Sequence, residues 1–192
     1  MYVLNENKSL KELSEILGSE KVQNDVKIER IIFNSKIAKE GDLFIPLKGN
    51  NHDAEDFVEE VLQKGASVIT KQKISGASIT VDNVYNSLLD ICANKLTESK
   101  AKVIFITGSY GKTTLKDMLK SLLGGKCHVN KDNENNEFGI PFTILSMPKN
   151  AEYLVVECGA RNVRDFDLIS KKLSCDVFVL TAIASNHLST FK

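Results

Sequence analysis

The sequence predicts an α/β protein of two parts, a small mixed α/β domain followed by a doubly wound parallel-sheet domain that carries a phosphate loop. Three observations lead there. Residues 103–107 and 153–156 are continuous runs of β-branched, aromatic and apolar residues, the pattern of strands covered on both faces of a parallel sheet. Beyond residue 100 the local signals run strand, loop, helix, strand, helix, strand, helix, strand, which is the order of a doubly wound sheet. A glycine-bearing turn ending in Gly111-Lys112-Thr113 sits between the first of those strands and the first of those helices.

The elements follow in chain order. Ser9-Leu10-Lys11-Glu12 reads as a capping box opening a short helix, with Leu10, Leu13, Ile16 and Leu17 on one face and Gly18 as a stop. Ile28–Phe33 reads as a strand, Glu40-Gly41-Asp42 as a turn and Leu43–Leu47 as a second strand. Asp53–Lys64 has Phe57, Val58, Val61 and Leu62 at helical spacing and ends at Gly65. Ala66–Thr70 and Ser78–Val81 are further strands, and Asp82 or Asn83 caps a helix to about Thr97. At Ser99-Lys100-Ala101-Lys102 polar residues give way to the apolar strand Val103–Thr107, which puts the domain boundary near residue 100 and the domains at 1–100 and 101–192. The second domain continues with a helix at Lys112–Leu123 stopped by Gly124-Gly125, a short strand at Cys127–Val129, and buried strands at Tyr153–Cys158 and Val177–Thr181.

Composition narrows the class. The 192 residues are 42% hydrophobic and 26% charged, ordinary for a soluble globular chain. Lys plus Arg and Asp plus Glu are equal at 25 each, and a formal net charge of zero gives no support for a general nucleic-acid or membrane-surface binder. The N-terminus lacks a basic stretch followed by an apolar run, and no stretch approaches the roughly 18–20 apolar residues a membrane span requires. Cys92, Cys127, Cys158 and Cys175 form no C-x-x-C pair and have no histidine at zinc-finger spacing, so they read as reduced thiols of a cytoplasmic protein.

The chemistry concentrates in Thr107-Gly108-Ser109-Tyr110-Gly111-Lys112-Thr113-Thr114. Gly108 and Gly111 allow the backbone to turn sharply and approach phosphate oxygens. Successive amides then face the concavity, and the helix N-terminus adds partial positive charge. Lys112 can reach β- and γ-phosphates, and the Thr113 hydroxyl can ligate Mg²⁺, as expected of an ATP site. The strict G-x-x-x-x-G-K-[ST] pattern demands glycine where Ile106 stands. The alternative is a glycine-bearing strand-to-helix turn with an incidental lysine, but strand, glycines, Gly-Lys-Thr and helix coincide in the order a phosphate loop demands.

Glu157 ends an apolar strand, at the edge of an open α/β sheet where ligands bind. A carboxylate there suits Mg²⁺, a hard cation that prefers oxygen; a solvated strand-end acid is the alternative. His187 follows the last strand and is either polar surface or part of the same edge. His52 and His128 carry no assigned role. In Asn133–Pro141 the asparagine amides either contact phosphate, metal-bound water or substrate, or cap the following helix.

These segments together resemble the Mur ligase family. Thr107–Thr114 is similar to its T-G-[ST]-x-G-K-[TS]-[TS] loop, which also lacks the first Walker glycine. Asn135-Asn136-Glu137-Phe138-Gly139-Ile140-Pro141 resembles the N-N-x-x-G-x-P of the D-alanyl-D-alanine-adding branch, Val156–Ala160 its V-E-x-G-A, and Asn186-His187-Leu188 with Phe191 its A-H-L-x-x-F. In the first half Gly41-Asp42-Leu43-Phe44, Lys48-Gly49, Asp53, Phe57 and Gly65-Ala66 resemble that branch's G-D-L-F…G…D-G-H-x-F…G-A. The resemblance runs from about residue 9 to the end.

It implies addition of D-Ala-D-Ala to a UDP-N-acetylmuramoyl-tripeptide in cell-wall synthesis. ATP phosphorylates the substrate carboxylate, the incoming amine attacks the acyl phosphate, and phosphate leaves. By the same resemblance Lys112, Glu157 and His187 are catalytic, and Thr113, Glu157 and His187 hold Mg²⁺. Thr107, Gly108, Ser109, Gly111, Thr114, Asn135 and Asn136 join Lys112 and Thr113 around ATP. Ser35, Lys36, Lys48 and Asp53 meet the UDP-linked substrate. The family's D-S-R stands here as Asn34-Ser35-Lys36, and lysine lacks arginine's bidentate fork. D-G-H stands as Asp53-Ala54-Glu55, and T-N-I as Thr181-Ala182-Ile183. Against the family's length the second part is a truncated P-loop domain, without the later carbamylated lysine or the C-terminal domain, so the expectation is that this chain alone does not complete ligation. Three other readings stay open: a Mur-type ligase with another acceptor, a catalytically silent nucleotide-binding or interaction module derived from a ligase, and a general P-loop kinase. Oligomeric state is not legible.

Overall fold

Ser9 opens helix α1 (Leu10–Ile16) with the reciprocal bonds of a capping box: its hydroxyl accepts from Glu12 N at 3.2 Å, and the Glu12 carboxylate accepts from Ser9 N at 2.6 Å. The computed structural model describes residues 8–19, 22, 24–48, 53–131, 134–159 and 166–184. The chain divides into two compact units, Met1–Ile91 and Cys92–Lys192.

The first unit holds strands β1 (Arg30–Ile32), β2 (Asp42–Phe44), β3 (Ser67–Thr70) and β4 (Ser78–Thr80), all parallel and adjacent in chain order. A 3-10 turn, Ser35–Ile37, lies between β1 and β2. Helix α2 (Val58–Gln63) lies between β2 and β3, and its Val58 and Val61 join Ile32, Phe44, Ala66 and Val68 in one buried cluster. The ion pair of Arg30 with the buried Asp42 staples the paired first residues of β1 and β2. Asp42, part of the Gly-Asp-Leu-Phe segment, is therefore a packing residue.

Local expectations fail here in two informative places. The helix expected over Asp53–Lys64 begins instead as a 3-10 turn, Ala54–Phe57, because Asp53 accepts from Glu55 N and tightens that turn. Phe57, expected on the apolar face, is 39% exposed. The first strand is shorter than Ile28–Phe33, since the Ile28 amide donates to the Lys8 carbonyl rather than to the sheet.

Helix α3 (Val84–Glu98) starts at Asn83, whose side chain accepts from Asn86 N at 2.9 Å. The division between the units falls within α3, ahead of the composition change near residue 100. Past it, Cys92 Sγ contacts the Pro141 carbonyl, and the buried Lys95 ammonium donates to the Leu145 carbonyl at 2.7 Å.

The second unit alternates β5 (Lys102–Thr107), α4 (Lys112–Leu123), β6 (Cys127–Val129), α5 (Gly139–Ser146), β7 (Tyr153–Glu157), α6 (Asp167–Lys172) and β8 (Val177–Leu180). The strands are all parallel in the order β6-β7-β5-β8, so the chain begins inside the sheet and leaves β5 between β7 and β8. Leu154, Val155 and Val156 are fully buried, as the apolar run requires. Strand β8, expected to be buried, is not. Val177, Phe178 and Leu180 are 48%, 62% and 51% exposed: β8 pairs with β5 along one edge, and among the described residues no helix lies closely over either of its faces.

All four cysteines are free. Burial pushes the Cys158 thiol up to about 12 and the Cys92 thiol higher still, so both pack as small hydrophobes. Among the described residues no helix is long and apolar enough to cross a membrane.

Candidate functional site

Strand β5 delivers the glycine turn to the carboxyl edge of its sheet, and α4 leaves from that turn. Ile106 is fully buried within β5, which continues to Thr107, so the turn begins two residues after the place where the strict phosphate-loop pattern has glycine. Gly108 and Gly111 take φ values of +135° and +81°. At Gly108 a β-carbon would overlap Thr181 Oγ1, so that position also needs the missing side chain for space. Gly111 is the residue ahead of α4 and brings no side chain to cap its first-turn amides, which leaves that helix end suited to an anion. Lys112 Nζ folds over the turn and donates to the Gly108 carbonyl at 2.6 Å.

The turn is held on both sides. Thr107 Oγ1 donates to the Cys158 carbonyl, beyond β7, at 3.0 Å. On the β8 side, Thr181 Oγ1 donates to the Tyr110 carbonyl, Ser109 N donates to the Ala182 carbonyl at 2.7 Å, and the Ser109 hydroxyl accepts from Ala184 N at 3.0 Å.

Glu157 closes the arrangement. Its side chain is 3% exposed. Oε2 accepts from the Thr113 hydroxyl at 2.8 Å and Oε1 from the Asn135 amide at 2.9 Å. The solvated-acid alternative does not describe a carboxylate buried and bonded in this way. A hydroxyl and a carboxylate in contact beside the glycine turn are hard oxygen donors, the set that suits Mg²⁺. Among the described residues no three His, Cys, Asp or Glu side chains group as a metal cage.

The two asparagines divide their work. Asn135 reaches Glu157, whereas Asn136 Oδ1 accepts from Gly139 N at 2.9 Å and Phe138 N at 3.3 Å and so caps α5. Thr114 is exposed on the first turn of α4. His187, with Asn186 and Phe191, lies outside the described residues, as do Gly49 and Ala160. His128 is partly buried, with Nε2 at 3.0 Å from the Thr143 carbonyl and 3.2 Å from Ser146 Oγ; burial holds its pKa below 6.5. It is a packing histidine away from the turn.

In the first unit, Ser35 is buried and Lys36 exposed in the 3-10 turn that follows β1, with the Lys36 amide donating to Asn34 Oδ1. Lys48 and Asp53 face each other in an antiparallel bridge between β2 and α2. Glu55, which stands in the third position of D-G-H, accepts from the Thr70 hydroxyl at 2.8 Å and from Lys71 N at the end of β3. Since β1, β2 and β3 are parallel, these groups gather at one edge of the sheet.

Sequence reading missed two residues at the second-unit site. Thr181 braces the glycine turn from the far strand. Asn130, only 1% exposed, spans the Glu157 backbone: its Oδ1 accepts from Glu157 N at 2.8 Å, and its Nδ2 donates to the carbonyls of Glu157 and Glu134 at 3.3 and 3.1 Å. The available signal was an amide side chain directly after the short strand Cys127–Val129, at the carboxyl end of the sheet where a polar group meets the site.

Comparison with known proteins gives consistent matches. The family model described as Mur ligase middle domain matches residues 106–192. The UDP-N-acetylmuramoyl-tripeptide--D-alanyl-D-alanine ligase of Bacillus subtilis (strain 168) is 36% identical over 169 residues, covering 84% of this chain and 37% of that protein. The protein of the same name in Rickettsia prowazekii (strain Madrid E) is 36% identical over 188 residues, covering 94% and 41%. Among solved structures, MurF from Acinetobacter baumannii superposes with a TM-score of 0.82 at 30% identity, over 95% of this chain and 42% of that one. The MurF ligase from Thermotoga maritima, in complex with ADP, gives 0.75 at 36% identity over 83% and 38%. The chain spans about two fifths of the length of the curated relatives it matches.

Proposed function

The chain belongs to the Mur ligase family, and from that membership we propose that it forms the substrate-binding front part and the phosphate-binding part of an ATP-dependent ligase that joins D-Ala-D-Ala to a UDP-N-acetylmuramoyl-tripeptide. The observation that carries the reading is the contact of Thr113 and Asn135 with the buried Glu157 carboxylate, beside a turn whose lysine and helix end favour phosphate. The ADP complex of the Thermotoga maritima relative supports a nucleotide as the occupant.

In this reading residues 1–100 bind the UDP-linked muramoyl peptide, with Ser35, Lys36, Lys48 and Asp53 at the carboxyl edge of the first sheet. Residues 101–192 bind ATP. The amides around Gly108, Ser109 and Gly111 and the side chains of Thr107 and Thr114 surround the phosphates. Lys112 exchanges the neutral Gly108 carbonyl for phosphate oxygen, a stronger charge-assisted bond. Thr113 and Glu157 hold Mg²⁺ with help from His187, and when bound the ion neutralises phosphate charge. Asn135 orients the Glu157 carboxylate, and Asn136 fixes the end of α5 behind it. The protein works in the cytoplasm, where ATP is found.

The reaction balances as two displacements. A carboxylate oxygen of the tripeptide attacks the γ-phosphorus of ATP and ADP leaves. The amine of D-Ala-D-Ala then attacks the acyl carbon, phosphate departs with the electrons of the broken C–O bond, and the amine loses a proton. The residues contribute by positioning and charge neutralisation, which is most of what phosphoryl transfer asks of a protein.

Titration of the chain with ATP, with and without Mg²⁺, tests the reading. Mg²⁺-dependent binding that disappears in Lys112→Ala is expected; binding of equal strength in the variant, or none in the parent chain, would overturn it. An interaction module derived from a ligase predicts that second outcome.

A further inference from the structure

The ladder between β6 and β7 pairs Cys127 with Tyr153, His128 with Leu154 and Val129 with Val155, and then stops. One residue later the main chain of β6 is replaced by a side chain. The Asn130 amide sits beside the Glu157 peptide, accepting its N–H and donating to its carbonyl as a neighbouring strand would. On the opposite side Glu157 pairs with Ile106 of β5. Its backbone is thus held by a strand on one edge and by a single amide on the other.

The same Nδ2 also donates to the Glu134 carbonyl, next to Asn135. Asn135 in turn bonds Glu157 Oε1 and, through its own carbonyl, accepts from Gly159 N at 2.7 Å. The Lys116 ammonium, 3% exposed, lies 3.4 Å from the Asn130 carbonyl and ties α4, which carries Thr113, to the same residue. Both groups that touch the Glu157 carboxylate therefore reach back to Asn130, one through the 134–135 backbone and one through α4.

We propose that Asn130 is a positioning residue for the Glu157 carboxylate, setting both its backbone and the asparagine that orients it. The inference rests on the reading of Glu157 as a Mg²⁺ ligand. An amide is required because the position needs one acceptor toward N–H and two donors toward carbonyls, which asparagine supplies and aspartate does not. Outer-shell partners of this kind change metal affinity by roughly 10–100-fold when removed.

The test is the ratio of ATP affinities with and without Mg²⁺ for the full 192-residue chain, its Asn130→Asp and Glu157→Gln variants, with far-ultraviolet circular dichroism as the check on folding. Asn130→Asp is expected to reduce the Mg²⁺-dependent gain at least tenfold, within the range above, while Mg²⁺-free binding stays within about twofold of the parent. Loss of both affinities in equal measure by a folded variant makes Asn130 structural only and overturns the inference, as does an unchanged ratio. If Glu157→Gln keeps the full gain, the Mg²⁺-ligand reading itself fails and takes the inference with it. A reduced gain in Glu157→Gln beside an unchanged one in Asn130→Asp overturns the inference alone. Should Asn130→Asp not fold, Asn130→Ser, which keeps a small hydroxyl, is judged by the same outcomes.

Discussion

Thr181 donates its hydroxyl to the Tyr110 carbonyl at 2.6 Å, so the end of β8 holds the middle of the glycine turn that leaves β5. The turn is shaped by a residue 71 positions away in sequence. That contact occupies the space beside Gly108 and sets the first prediction.

Gly108→Ala places a β-carbon against Thr181 Oγ1 and the Ala182 backbone, at a φ of +135° that side chains rarely adopt. Backbone strain alone costs about 1–3 kcal/mol, and the turn must shift to relieve the overlap. Thermal melting should drop, and ATP affinity should fall more than tenfold, a loss of about 1.4 kcal/mol. Parent-like melting and affinity would show that the turn is not held from β8.

Thr113→Val keeps the shape of the side chain but takes a donor from the Glu157 carboxylate, which is 3% exposed. A buried acceptor left without its partner costs about 1–3 kcal/mol. The Mg²⁺-dependent gain in ATP affinity should fall with it, and Thr113→Ser should restore both properties. Equal behaviour of Val and Ser at this position would remove the hydroxyl from the site.

Asp42→Asn strips the charge from a residue 1% exposed and paired with Arg30. Arg30, whose side chain is only partly buried, then loses its charge partner, and the broken hydrogen bonds around position 42 cost about 1–3 kcal/mol. Urea denaturation should show the loss in the first unit while ATP binding by the second is retained. A shift below about 0.5 kcal/mol, the range of ordinary surface changes, would mean the pair is not structural.

Burial holds the His128 pKa below its ordinary 6.5, with the Thr143 carbonyl pulling the other way. A folded-state pKa that is depressed gives stability fully present above pH 6.5 and lost as pH falls through the folded value, because the unfolded chain binds the proton first. Melting temperature should therefore decline as pH falls below 6.5, and the decline should be shallower in His128→Gln. Parallel profiles for the two proteins would place the acid sensitivity elsewhere.

Much of what depends on near neighbours was legible, the start of α2 and the length of β1 excepted. Ser9 and Glu12 are three residues apart and cap α1 with their own side chains. The bounds of α4, Lys112–Leu123, follow from glycines on either side of an uninterrupted helical stretch, and the apolar run 154–156 buries as its composition demands. The glycine turn, Lys112 and Thr113 were legible because strand, turn and helix are consecutive in the chain.

By itself, then, the sequence determined the order of elements, the glycine turn and the residue types around it, since each depends on neighbours within a turn or two. Only the tertiary structure decided which groups meet. It placed Asn135 rather than Asn136 against Glu157, set Asn130 astride the Glu157 peptide and Thr181 against the turn, and left β8 exposed at the end of the order β6-β7-β5-β8. Those contacts join residues far apart in the chain, and their geometry follows from strand order and register, which hydrophobic patterning leaves open.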